Sequence, residues 1–133
     1  MEQTENKLEQ IARLFKDNNL LQEDAMKLKV GGKNVPLILR SGIEKIQSNQ
    51  DIKVTMDIVY LSEDLKRCVI KAVGQMGDNY IETFGEANER NCKINYAVNL
   101  AEKRALSRIV LKLAGFYQLG VYGEDEIQED SRD

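Results

Sequence analysis

The segment from Asp51 to Leu61 constrains the fold more than any other part of the chain, because apolar and polar side chains alternate along it. A period of two predicts a half-buried antiparallel strand with one mostly polar face. Two similar segments follow, at Lys66–Gly74 and Tyr80–Ala87, and polar turns separate the three. The pattern predicts a three-stranded antiparallel meander.

The strongest helical pattern follows the meander, at residues 94–114. Gly115 stands where a helix commonly ends in a left-handed residue. Two earlier helices are predicted at residues 5–17 and 37–48, with Pro36 opening the second, and a short strand and tight turn are predicted between them. The apolar face of the long helix comprises Ile94, Val98, Ala101, Ala105, Ile109 and Leu113. Strands flanked by helices indicate an α+β fold with helices packed on one face of an antiparallel sheet.

The 133 residues fit one α+β domain over residues 1–123, with an N-terminal helix at 1–19 and a core at 36–115. Residues 124–133 hold six acids and one base, and we predict a disordered acidic tail. No stretch approaches the roughly 20 apolar residues of a membrane span. With two cysteines and an acidic, polar N-terminus, we expect a reducing, cytoplasmic location.

Several kinds of chemistry are excluded by residue types. The chain has no histidine, which excludes catalytic triads, Cys–His pairs and histidine-based zinc sites. The turn at residues 31–34 lacks the spacing of a phosphate-binding loop. We therefore expect no cofactor and no enzymatic activity. One enzymatic alternative stays open, a metal-dependent nuclease in which Asp57, Glu82 and Glu86 hold a divalent cation.

Basic residues concentrate on the long helix, which carries five bases and one acid between Lys93 and Lys112. Arg104, Arg108 and Lys112 recur every four residues and form a ridge, and Lys93 lies on the same side as Arg104. Such a ridge suits a phosphate backbone, although a solvated helix face has the same pattern.

Three more bases lie on the predicted strands, and they form a basic surface if their faces coincide. These bases are Lys53, Arg67 and Lys71. Aromatic residues can also stack on bases, although most of them are expected in the core or in an interface. The candidates are Tyr80, Phe84, Tyr96, Phe116, Tyr117 and Tyr122. A second alternative is a non-catalytic module that binds a protein partner through its acidic tail or an apolar helix face.

The segment Tyr80–Asn88 and the helix containing Lys103-Arg104-Ala105-Leu106 resemble a known group of proteins. They are similar to the single-strand annealing proteins of the RAD-fifty-two superfamily and to the phage essential recombination function proteins. That group shares a helix, a three-stranded meander and a long helix with a Lys-Arg-Ala-Leu type motif, and the resemblance covers roughly residues 36–123. Ser107 stands where the group has a further basic residue.

The resemblance implies ATP-independent binding of single-stranded DNA and annealing of complementary strands in recombination or repair, in a phage-encoded protein acting in a bacterial host. It implies that Lys103 and Arg104 contact the DNA backbone, and that copies of the chain form a ring or filament. The acidic tail is expected to dock a basic partner, such as a single-strand binding protein or a nuclease, or to compete with DNA for the basic groove.

Overall fold

A three-stranded antiparallel sheet and the long helix packed on it form the centre of the fold. The computed structural model describes residues 6–30, 32–88 and 97–126. It contains helices and two three-stranded sheets, so the predicted α+β class is confirmed. The helices are α1 (Lys7–Asp17), α2 (Arg40–Asn49) and α3 (Ala97–Ala114), and the strands are β1 (Ala25–Val30), β2 (Lys33–Ile38), β3 (Lys53–Leu61), β4 (Cys68–Met76), β5 (Asn79–Ala87) and β6 (Tyr122–Gly123).

The meander predicted from the alternating segments is present in the order β3-β4-β5, with both pairs antiparallel. On the central strand β4, alternate residues are buried and their neighbours are not. The buried face is turned toward α3, and the other face is turned away from it. A register shift between Ile58 and Tyr60 marks a bulge near the end of β3.

Helix α3 lies close to the sheet because small residues meet small residues at the crossing. Ala101 and Ala105 are fully buried. A Cβ atom on Gly85 would lie 2.2 Å from the carbonyl oxygen of Ala101, so only glycine fits at that position of β5. Ile109 and Leu113 cover the next turn of the contact, over Gly74 of β4. The apolar face predicted for the long helix therefore packs on the sheet.

A second sheet, in the order β1-β2-β6, was only partly predicted. The expected turn joins β1 to β2, but Pro36 lies inside β2, opposite Lys27, and α2 begins only at Arg40. The prediction that Pro36 opens the helix was wrong. The fixed φ of proline suits a strand as well as a helix start, and its missing N–H costs little here because β6 pairs with β2 only beyond it, at Leu37 and Ile38.

The chain crosses back over α3 after Gly115. Phe116 and Val121 are fully buried, and β6 then joins the second sheet. A single 3₁₀ turn, Glu124–Glu126, follows β6. The predicted acidic tail thus begins with three ordered residues, whereas 127–133 lie outside the described residues. Among the helices described, none is long and apolar enough to cross a membrane.

Candidate nucleic-acid interface

The face of the β3-β4-β5 sheet that points away from α3 carries two of the predicted basic residues. Lys71 pairs with Asp57 on one side and Phe84 on the other, and Lys53 pairs with Gln75, which pairs with Tyr80. All these positions alternate with the buried ones, so they share the outer face. The sequence predicted a basic surface on condition that the strand faces coincide. The register brings Lys53 and Lys71 to one face and adds the aromatic residues of β5, which that prediction did not include.

Three aromatic side chains on this outer face are exposed. Tyr80 is 61% exposed, Phe84 is 47% exposed, and Tyr60, after the bulge in β3, is 51% exposed. Aromatic residues are usually buried, so three on one open sheet face are unusual for a surface in contact with water alone. Exposed aromatic rings on a sheet are the means by which several nucleic-acid-binding folds stack bases.

The charge of the outer face is balanced. Asp57 and Glu82 lie on it beside the two lysines, and a third acid on this face, Glu86, is paired with Arg108. Lys71 Nζ is 3.7 Å from Glu82 Oε1. An exposed pair of this kind contributes little to stability. Lys71 can therefore turn toward a stronger anion at small cost, and the aromatic rings supply the apolar part of the surface.

Two other predicted contact residues are exposed elsewhere. Lys103 is exposed on α3, and Arg67 is exposed one residue before β4, where its backbone N–H donates to Ser62 Oγ. Neither residue belongs to the outer face of the sheet as its strands define it. Lys93, the remaining predicted contact, lies outside the described residues.

Arg104 is buried rather than exposed, with 3% of its surface accessible. Its guanidinium donates to the backbone carbonyl of Glu86 at 2.8 Å and to the carbonyl of Asp125 at 2.7 Å. The family resemblance implies a DNA contact for Arg104, but in this structure the side chain joins β5 to the turn after β6.

Arg108, whose side chain is half-buried, joins the same two elements. It donates to both carboxylate oxygens of Glu86, to both of Glu126, and to the backbone carbonyl of Phe84 at 2.7 Å. The hydrogen bond from Arg108 holds the pKa of Glu86 below its usual value, and Glu86 in turn raises the pKa of Arg108. Two carboxylates therefore already neutralise this guanidinium.

Lys112 completes the basic ridge. Its ammonium donates to Thr83 Oγ1 at 3.0 Å and lies 5.1 Å from the centre of the Tyr117 ring. The ridge thus runs along the edge of β5 that faces away from β4. Four residues of helix rise about 6.0 Å and two residues of strand advance about 6.7 Å, so arginines four apart on α3 meet carbonyls two apart on β5.

Sequence reasoning found the ridge but not its orientation. Two signals were available in the chain: Ser107, uncharged between the arginines, and the acids directly after β6. Ser107 is fully buried and its hydroxyl donates to Asp125 Oδ2 at 3.0 Å. A helix turn with a small neutral residue inside a basic ridge indicates that another segment packs there.

The carboxylates proposed for a nuclease do not form a metal site. All three lie on the outer face of the sheet, but Glu86 is bound by Arg108, and Lys71 of β4 stands between Asp57 on β3 and the glutamates on β5. Within residues 6–30, 32–88 and 97–126, no group of three or more cysteine and carboxylate residues is placed to hold a metal ion. This arrangement gives no support to the nuclease alternative.

Comparisons with protein-family models, curated proteins and solved structures found no match to this chain.

Proposed function

We propose that this protein binds single-stranded DNA on the outer face of the β3-β4-β5 sheet and anneals complementary strands without ATP. The observation that carries the proposal is the set of exposed aromatic residues, Tyr60, Tyr80 and Phe84, on the same open face as Lys53 and Lys71. The resemblance of the Lys103–Leu106 segment to annealing proteins supports the same activity.

The mode of binding follows from the residue types. Tyr80 and Phe84 are four strand residues apart, about 13 Å, so each ring receives a different base. Stacking uses the flat face of a base, which every base has, and binding is therefore indifferent to sequence. Lys53 and Lys71, which lie on β3 and β4 to one side of these rings, contact the phosphates of the bound strand, and this makes binding sensitive to salt.

Annealing requires that bound bases remain able to pair. A base stacked on a ring keeps its hydrogen-bonding edge free for a complementary strand. One subunit offers few contacts, and repetition of the face in an assembly raises the effective concentration of the bound strand. The proposal involves no covalent chemistry and implies a protein that acts in the cytoplasm of a bacterial host. Residues 124–133 remain a candidate contact for a single-strand binding protein or nuclease.

Fluorescence anisotropy with a labelled strand of 30–40 nucleotides, at low and high salt and without ATP, tests the proposal. We expect replacement of Tyr80 and Phe84 by Ala to weaken binding at least tenfold, since stacking contributes about 1–3 kcal/mol per base. Tyr122→Ala is the matched control, because this ring is also exposed but belongs to β6 of the other sheet, where it contacts Tyr117.

Two results would overturn the proposal: no salt-sensitive binding by the folded wild-type protein, or equal loss of binding in the control and the double variant. The first would favour the protein-binding module. Adding the complementary strand to the bound complex then tests annealing, which should proceed without ATP or metal and leave the strands uncut.

A further inference from the structure

We propose that β3 of one copy of this chain pairs with β1 of a second copy, in a parallel head-to-tail contact. The contact goes beyond DNA binding and does not require it. The inference rests on a difference between the two edges of the β3-β4-β5 sheet in the hydrogen bonding of their outward backbone groups.

One edge of that sheet is blocked. The carbonyls of Phe84 and Glu86, which point outward from β5, already accept hydrogen bonds from Arg108 and Arg104. At the opposite edge, β3 pairs with β4 alone among the described strands. Proteins normally protect a long edge strand because its unpaired backbone groups invite pairing with another chain.

The open edge is also apolar. Four consecutive residues near the end of β3 are exposed: Ile58 (54%), Val59 (58%), Tyr60 (51%) and Leu61 (37%). Helix α3 packs over Gly74 of β4 and Gly85 of β5, whereas these four side chains of β3 remain exposed. A run of this kind on an edge strand fits a protein surface better than water. The bulge between Ile58 and Tyr60 leaves the part of β3 before it available for regular pairing.

The second sheet supplies a complementary edge. β1 pairs with β2 alone among the described strands, and its residues Lys27 and Lys29 are exposed, as is Met26 at 42%. β3 carries an exposed carboxylate, Asp57, in the middle of its length and an exposed lysine, Lys53, at its start. A contact between unlike edges therefore brings a lysine strand to a strand that carries an acid.

Hydrogen-bond direction selects the orientation. A two-residue turn joins Met76 to Asn79, so these residues exchange backbone hydrogen bonds and alternate residues of each strand face outward. The outward carbonyls of Phe84 and Glu86 agree with this alternation. By the same alternation, Met56 and Ile58 direct their backbone N–H and C=O groups to the open edge of β3. On β1 the pair Val30–Lys33 lies next to the turn, so Lys27 directs its backbone groups away from β2.

An antiparallel contact would pair Lys27 with Met56 or Ile58, because outward groups then face each other. In a parallel contact each outward residue instead lies opposite an inward one, which sets Lys27 opposite Asp57 and Met26 opposite Met56. The parallel register thus matches charge with charge and apolar with apolar. Because β1 and β3 are different surfaces, the contact repeats and forms a ring or filament rather than a closed dimer.

Sedimentation velocity over a range of protein concentrations, without DNA, tests the contact. We expect Lys27→Glu and Asp57→Lys each to weaken self-association about tenfold, because each sets like charges face to face. An equimolar mixture of the two variants should assemble like the wild type, since the new carboxylate on β1 of one variant then meets the new ammonium on β3 of the other. Lys103→Glu, which alters an exposed lysine on α3, is the control and should assemble normally.

Circular dichroism and thermal melting establish that each variant is folded. A wild-type protein that stays monomeric at the highest concentration reached overturns the inference, with or without DNA binding. Assembly that is insensitive to Lys27→Glu also overturns it and indicates a symmetric β3–β3 contact. Failure of the mixture to assemble, when both variants are monomeric, rejects the parallel register.

Discussion

Arg104 shows at the scale of one residue that a basic side chain in a basic ridge can be structural. The motif Lys103-Arg104-Ala105-Leu106 has two adjacent bases that face different surroundings: Lys103 is exposed and Arg104 is buried. Adjacent helix residues point about 100° apart, so one can meet solvent while the next meets the sheet.

We expect Arg104→Ala to lower the free energy of unfolding by about 2–4 kcal/mol, because the carbonyls of Glu86 and Asp125 both lose a charged donor. Lys103→Ala should change it by less than about 0.5 kcal/mol, as exposed substitutions usually do. Urea denaturation of the two variants measures the difference. Equal stabilities would show that the Arg104 hydrogen bonds contribute nothing net.

Asp24 is a second buried charge, and no pattern in the sequence indicated it. It accepts hydrogen bonds from Lys45 Nζ at 2.6 Å and Ser41 Oγ at 2.7 Å, which ties α2 to the turn before β1. The bond from Lys45 lowers the pKa of Asp24 from 3.8 to about 2, against the opposing effect of burial.

A carboxyl group whose pKa is lower in the folded state stabilises the protein above its unfolded pKa, and this contribution is lost as pH falls. For Asp24 the loss should occur between about pH 4 and pH 2. We expect Asp24→Asn to lower stability by about 2 kcal/mol at pH 7 and to match the wild type more closely near pH 2. Urea midpoints from pH 2 to pH 7 test this, and a pH-independent difference would contradict it.

At the scale of elements, the close approach of α3 to the sheet depends on glycine. A Cβ atom at Gly85 would lie 2.2 Å from Ala101 O and 2.4 Å from Ala105 N, both backbone atoms. At Gly74 the nearest atoms belong to the side chains of Ile109 and Leu113, at 2.5 and 2.8 Å. Side chains can rotate away, but helix backbone must move as a unit.

We therefore expect Gly85→Ala to destabilise the protein by more than about 3 kcal/mol and Gly74→Ala by about 1–3 kcal/mol, as overpacking usually does. Thermal unfolding of the two variants compares them directly. If Gly74→Ala proves the more damaging, the helix is not held as closely over β5 as this packing requires.

The strands of the meander and helix α3 were predictable because their periods are visible in the sequence and their turns carry Gly, Asp and Asn. The hairpin β1-β2 was harder to predict from the sequence, since it is short and contains Pro36, whose restricted φ fits both a strand and the start of a helix. The two-residue strand β6 has no periodicity at all. Its pairing with β2 joins residues that are far apart in the sequence, such as Leu37 and Tyr122.

The basic outer face of the sheet could be predicted only on the condition that the faces of the strands coincide. Alternation placed Lys53 and Lys71 on one side of their own strands, but the register that brings Tyr80 and Phe84 to the same face depends on turn lengths. The burial of Arg104 depends on residues that lie in other elements, on β5 and in the turn after β6. No local pattern shows which side of a basic ridge meets a neighbouring strand.

At the scale of the whole molecule, the acidic turn after β6 acts as part of the domain. Asp125 contacts Arg104 and Ser107, and Glu126 contacts Arg108. These contacts join the last described residues to the helix and to the edge of the β3-β4-β5 sheet.

We expect a chain ending at Gly123 to be less stable than one ending at Glu126 by about 2–4 kcal/mol, because three groups on α3 lose their partners. Guanidinium unfolding of the two truncated chains measures this difference, with Glu124→Gln in the full chain as a control that spares Asp125 and Glu126. Equal stability of the two truncated chains would show that the acidic turn is not needed for folding.

The spacing of the basic residues along α3 is close to the spacing of the outward carbonyls along β5, but the small difference between them adds up along the contact. Each step of the helix falls short of the corresponding step of the strand by about 0.7 Å. Arg104 and Arg108 still reach carbonyls, at Glu86 and Phe84, whereas Lys112 meets the hydroxyl of Thr83 instead. A straight helix can therefore donate hydrogen bonds to successive carbonyls of a strand edge for only two or three steps, because the difference between the two spacings accumulates.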